Sequence, residues 1–244
     1  MGAGLPRTGT SSLREGLRHL LDAPTYHMSE VFAHPEHAAT WVDAIAGRPP
    51  DWESFLAGYA AGVDAPFSLC WRELADAYPD APVLLSHRGD AELWYRSMAA
   101  TVLPRTRELR RRSRADPLVA LFEVLFDRVC PDIDDHDQLV SGYDRWLAQV
   151  REGVAPGRLV EWQPGDAWAP VCRALGLPVP AVPFPHENSS ASYRARQGER
   201  TRRDRARLAT ASGEPPTPAI GGPGDREASP RRRGPVRTTR IDGA

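Results

Sequence analysis

The 244-residue sequence predicts an α/β domain, with a central parallel sheet flanked by helices, followed by a disordered basic tail. Three observations carry that expectation. Short apolar runs alternate with longer segments of helical period, and a loop rich in Gly, Thr and Ser opens the chain directly before an amphipathic helix. From about Ser192 the large apolar residues almost disappear, so the rest of the chain has nothing to offset its ordering entropy.

The loop runs from Gly4 to Ser12, and Leu13, Leu17, Leu20 and Leu21 then draw one apolar helix face. Further helical patterns lie around residues 36–46, 51–62, 71–78, 91–100, 117–129, 136–152 and 166–175. Residues 83–87 and 158–162 read as short buried strands, and 66–70 as a weaker third. A phosphate loop in such a fold leaves the end of a strand, yet only Met1, Gly2 and Ala3 precede Gly4. The first strand is therefore expected as a truncated stub, unless the true start lies upstream. Four prolines within residues 178–186 close the domain irregularly. The expected organisation is a folded domain over 1–190 and an Arg/Pro/Gly-rich tail over 191–244.

Composition narrows the functional classes. With 41% hydrophobic residues the chain can build a sizeable core. No apolar run approaches the roughly 20 residues of a membrane span, and the N-terminus lacks a signal-peptide layout, so a cytoplasmic protein is expected. Cys70, Cys130 and Cys172 are far apart and odd in number, which suggests buried thiols instead of disulfides or a zinc site. Every basic residue is Arg, so an anion clamp must use guanidinium forks or backbone amides. Charge is unevenly placed: from Arg194 onward 13 Arg face 6 acidic residues, against 18 and 26 before it. The tail lacks aromatic residues after Tyr193, which fits a solvated appendage; a nucleic acid is not an expected partner.

Gly4-Leu5-Pro6-Arg7-Thr8-Gly9-Thr10-Ser11 has the G-x-x-x-x-G frame in which backbone N–H groups converge on an anion at a helix N-terminus. A nucleoside-triphosphate loop places Lys after the second glycine, where this chain has Thr10; its cation, Arg7, lies inside the loop. Nor does the 83–87 run end in an Asp suited to Mg²⁺. Metal-assisted triphosphate hydrolysis is therefore disfavoured.

The stretch Pro6-Arg7-Thr8-Gly9-Thr10-Ser11-Ser12-Leu13 resembles the 5′-phosphosulfate loop of sulfotransferases, in which Pro-(Lys/Arg)-(Ser/Thr)-Gly-Thr precedes the first helix. Trp94-Tyr95-Arg96-Ser97 is similar to the W-(Y/W)-x-S of a bacterial branch of that family. Tyr26-His27-Met28, Phe32 to His37, Val63-Asp64-Ala65-Pro66, Tyr78-Pro79-Asp80-Ala81 and Pro183 to Asn188 follow in the family's order, so the resemblance covers residues 2–190.

The resemblance implies a three-layer P-loop fold and a PAPS donor. Pro6, Arg7, Thr8, Gly9, Thr10 and Ser11 would hold the 5′-phosphosulfate, and Arg88 with Ser97 the 3′-phosphate. Arg88 and Ser97 stand nine positions apart where eight are expected, which places an extra residue in the loop at Gly89 and Asp90. The implied activity is sulfuryl transfer to a hydroxyl or amine of a small-molecule acceptor, without a metal. A catalytically silent nucleotide-binding member of the fold is the alternative. Arg7 would stabilise the leaving phosphate, and Asp64 is the first candidate base, with His27 and His34 as rivals. His34 and His37 show no third ligand in the sequence, so no metal site is expected.

Overall fold

The computed structural model describes residues 1–111 and 116–187. In chain order these form α1 (Thr10–Leu21), β1 (Thr25–Tyr26), α2 (Met28–Ala33), α3 (His37–Ile45), α4 (Trp52–Phe55) and β2 (Ala61–Gly62). A 3₁₀ turn at Phe67–Cys70 leads into α5 (Trp71–Ala77) and β3 (Val83–Ser86). Then follow α6 (Ala91–Ala99), α7 (Val102–Arg110), α8 (Pro117–Val124), α9 (His136–Gly153), β4 (Leu159–Trp162) and α10 (Ala169–Leu175).

The strands pair in parallel in two short ladders. Thr25 and Tyr26 oppose Ala61 and Gly62, and Val83 to Ser86 oppose Leu159 to Trp162. Residues 1–3 lie between the ladders and bond to both. The Gly2 N–H donates to Gly62 O at 2.7 Å, the Ala3 N–H to Leu84 O at 2.9 Å, and the Leu84 N–H to Met1 O at 2.7 Å. This arrangement directs Gly4 and the loop out of the middle of the parallel array, between the two directions in which the strand order grows. Such a switch point is where open α/β sheets hold ligands. All four residues of β3 are buried, as a strand covered on both faces requires.

Helix boundaries follow local chemistry. Asp90, Asp116 and Asp135 cap α6, α8 and α9 by accepting from the N–H groups of Leu93, Leu118 and Gln138. Along α9 the buried residues Leu139, Tyr143, Trp146, Leu147 and Val150 form one stripe. Two apolar clusters result. The larger contains Trp41, Trp71, Trp94, Tyr143 and Trp146; the smaller joins Leu13 and Leu17 of α1 to Trp162, Trp168 and Phe184.

Three expectations need correction. Residues 66–70 are not a strand: Pro66 has no N–H for a ladder, and Ser68 and Leu69 donate to Asp64 O and Pro66 O, which winds the segment into a turn. The strand lies earlier, at Ala61–Gly62, inside the span expected as helix 51–62. That helix stops at Phe55, and Gly58, at φ 88°, reverses the chain so that the Ala60 N–H can pair with Pro24 O. The helical pattern at 117–129 gives α8 only to Val124, with turns beyond it. Helices α2 and α7 were not anticipated. The expected tail over 191–244, and the boundary at 190, lie outside the described residues. Among the described residues no helix is long and apolar enough to cross a membrane.

Candidate functional site

The loop is pressed against β3. Thr8 is fully buried; its Oγ1 donates to Leu5 O at 2.7 Å and lies 2.6 Å from Ser86 Oγ. Gly4 allows this approach, since a Cβ there would fall on Ser86 Oγ and 2.6 Å from Ser86 O. Arg7 at φ 70° and Gly9 at φ 94° turn the chain through the left-handed region on either side of Thr8. Turns of this kind rotate successive N–H groups toward one side, as anion-binding concavities do. Gly9 heads α1 without a side-chain cap, and the first turn of α1 carries no acidic residue. An acidic residue of its own first turn thus does not offset the positive end of the helix dipole, an arrangement that suits an anion.

The two anion-binding groups expected from the sequence come together. Arg7, only 7% exposed, donates from Nε to Ser97 Oγ at 3.1 Å. Arg88 donates from Nε to Arg7 O at 2.6 Å, and its N–H donates to the Tyr143 hydroxyl at 2.8 Å. Burial lowers the Arg88 pKa, though a guanidinium remains charged at neutrality. Pro6 takes part through its carbonyl, which accepts from Trp94 Nε1 at 2.8 Å. Trp94 is fully buried and stacks on Tyr143 with centroids 4.6 Å apart. The Trp of the W-Y-x-S motif therefore supports the loop from beneath, and Tyr143 supports both Trp94 and Arg88. Sequence reasoning passed over Tyr143, whose only signal was membership of the apolar stripe of α9.

A second polar group borders the start of α1. Thr10 and Ser11 are buried, and Ser11 Oγ lies 3.4 Å from His27 Nε2. The same nitrogen lies 3.2 Å from Asp64 Oδ2. His27 Nδ1 accepts from the Ser29 N–H at 3.1 Å and caps α2, so the neutral ring carries its proton on Nε2, toward Asp64. Burial lowers the His27 pKa, and the Asp64 carboxylate partly opposes that shift. Asp64 is 7% exposed at φ 70°, and its Oδ1 has no hydrogen-bond partner among the described residues. Uncommon backbone conformations of this kind gather at functional sites. His34 stands apart from this group. It is exposed and pairs with Glu36.

His87 was not anticipated either. It follows β3, accepts at Nδ1 from the Gly89 N–H, and pairs through Nε2 with Glu161 Oε2 at 3.0 Å. Arg151 binds the same carboxylate, so these residues tie the end of β3 to β4 and α9.

A tight loop after residues that bridge two parallel ladders, a helix start with no side-chain cap and two neighbouring arginines define the class: an α/β protein with a candidate anion site at the carboxyl ends of its strands. Comparison with known proteins then gives the family. The chain belongs to the sulfotransferase domain family, whose model matches residues 1–193. It is also similar to Ava biosynthesis cluster protein M of Aspergillus versicolor, at 31% identity over 215 residues, covering 75% of this chain and 78% of that protein.

Proposed function

We propose that the protein is an active sulfotransferase of three-layer P-loop architecture that moves a sulfuryl group from PAPS to a hydroxyl or amine of a small-molecule acceptor. The observation that carries the donor assignment is the Arg7–Ser97 bond, supported by the Arg88–Arg7 contact. Together they bring the loop that would take the 5′-phosphosulfate next to the pair that would take the 3′-phosphate. A nucleotide with anionic groups on both its 5′ and 3′ sides matches such a double site. Thr8, Gly9, Thr10 and Ser11 would supply N–H donors, and Pro6 shapes the turn that Trp94 holds.

PAPS supplies an activated sulfuryl group on a phosphate leaving group. A bond forms between the acceptor atom and sulfur as the bond from sulfur to the 5′-phosphate oxygen breaks, and PAP departs. Arg7 and the first N–H groups of α1 offset the charge that grows on the departing phosphate. The acceptor proton goes to Asp64 Oδ1, the buried carboxylate oxygen that has no hydrogen-bond partner among the described residues. His27 serves as the positioning residue. Its Nδ1 is engaged by the backbone, so it holds Asp64 Oδ2 through Nε2 and is poorly placed to take a proton itself. In this reading Asp64 is the base and His27 positions it, while His34, exposed and paired with Glu36, takes no part.

Calorimetric titration tests the donor assignment: PAP should bind tightly, and ATP with Mg²⁺ weakly or not at all. Preference for ATP with Mg²⁺ overturns it. Asp64→Asn should bind PAP as the wild type does and lose about 10²–10⁴-fold in transfer rate. A wild type that binds PAP yet sulfates nothing in a broad phenol, alcohol and amine panel would favour the catalytically silent alternative.

A further inference from the structure

Away from the loop, the junction between α2 and α3 gathers His34, Glu36 and His37. The sequence shows two histidines and no third ligand. In the structure one ligand atom from each of the three residues lies within 4.8 Å of the others. We propose that His34, Glu36 and His37 form a binding site for one divalent transition-metal ion of the zinc class, separate from the sulfuryl-transfer chemistry.

The backbone builds the site. The His37 N–H donates to His34 O at 3.0 Å and the Ala38 N–H to Pro35 O at 3.1 Å, so four residues close one tight turn. His34 and His37 therefore face the same side, with rings stacked at 5.2 Å and 22°. Glu36 Oε1 lies 3.2 Å from His34 Nδ1. Donors on a tetrahedral ion at ~2.0–2.1 Å sit ~3.4 Å apart, so this pair is already at ligand spacing. The widest gap closes by side-chain rotation, which His34 and Glu36 can make because both are exposed.

A buried support stands behind His37. Its Nδ1 lies 3.1 Å from the Tyr26 hydroxyl, which accepts from Trp41 Nε1 at 2.7 Å. Tyr26 and Trp41 are both fully buried. Metal-binding histidines commonly have their second nitrogen held in this way, which sets the ring orientation and leaves the other nitrogen for the ion. A ligand set of two imidazoles and one carboxylate suits Zn²⁺, Co²⁺ or Ni²⁺, whereas Mg²⁺ and Ca²⁺ favour all-oxygen sites. Bound metal would cross-link the α2–α3 junction, where His34 directly follows the helix that His27 caps, and so would stabilise that corner of the fold.

The test uses the full chain, stripped of metal with a chelator and titrated with Co²⁺. One equivalent should bind and give a visible d–d band, which Zn²⁺ removes by competition and Mg²⁺ does not. His34→Ala and Glu36→Gln are surface changes that should leave the fold intact and weaken Co²⁺ binding at least about tenfold each, the lower range for loss of a supporting contact. His136→Ala, an exposed histidine paired with Glu92 and Asp137, should leave it unchanged. Absence of a stoichiometric Co²⁺ band overturns the proposal. So does binding that survives His34→Ala or depends on His136.

Discussion

Gly4→Ala is the substitution whose consequence can be worked most directly from the structure. The added methyl would lie 2.6 Å from Ser86 O and 2.8 Å from Ser86 N, as well as against Ser86 Oγ. The hydroxyl can rotate away, but the backbone atoms cannot. Carbon contacts are comfortable at about 3.5–4.0 Å, so the loop must withdraw from β3 by roughly 1 Å. That movement stretches the Thr8–Ser86 contact and the Ala3–Leu84 bond beside it. Overpacking of this kind costs about 1–3 kcal/mol, which for a domain of this size lowers Tm by roughly 2–12 °C. PAP should bind roughly 10–150-fold more weakly, the equivalent of one lost charge-assisted hydrogen bond. Gly157→Ala is the control, because a methyl there meets nothing within 4 Å; its stability should stay within about 0.5 kcal/mol. Thermal melts and calorimetric PAP titrations on both variants read the outcome. A Gly4→Ala protein with wild-type Tm and PAP affinity would refute the close approach of loop and strand as the basis of the site.

Arg7→Ala should weaken PAP by about 1.5–3 kcal/mol in a folded protein, measured by calorimetry, and unchanged affinity would remove Arg7 from the site. Arg88→Ala should weaken PAP more than adenosine 5′-phosphosulfate, which lacks the 3′-phosphate. A smaller loss is expected for the second ligand too, because Arg88 also braces Arg7 O. Equal losses would mean that Arg88 acts only as that brace. For pH, burial holds the His27 pKa below its ordinary 6.5, so the unfolded state takes up a proton that the folded state refuses. Its stabilising effect is therefore full above 6.5 and is lost as pH falls through that value toward the lower folded one. Melting temperature should decline from pH 7 to pH 5, less steeply in His27→Gln; an identical slope in the variant would remove His27 as a source.

What the sequence made legible was whatever depends on a few adjacent residues. Small residues at fixed spacing around Arg7 announce a loop that needs left-handed turns and close approach, and the structure has both at Arg7, Gly9 and Gly4. Long helices with one apolar stripe, such as α9, were equally visible, because a buried face must repeat with the helical period. Two-residue strands carry no such period. Thr25–Tyr26 and Ala61–Gly62 become strands only because residues 1–3 and their neighbours offer partners, which no local pattern records. The apolar run at 66–70 misled for the same reason: burial was read correctly, but Pro66 excluded the ladder that burial suggested.

The site divides along the same line. Arg7, Arg88 and Ser97 could be listed from motifs, but motifs do not say what each atom touches. Trp94 looked like part of a recognition pattern, yet its indole N–H binds Pro6 O and its ring lies on Tyr143, so what it orders is the loop. Tyr143 comes from a helix some fifty residues away, and nothing near it in the chain marks it as a partner of Arg88. The proposed division of roles between Asp64 and His27 rests on a similarly nonlocal contact. One backbone N–H, that of Ser29, occupies Nδ1 of His27 and so directs the ring proton toward Asp64. A residue's chemistry here depends on which of its atoms is already engaged, and that information exists only once the chain has folded.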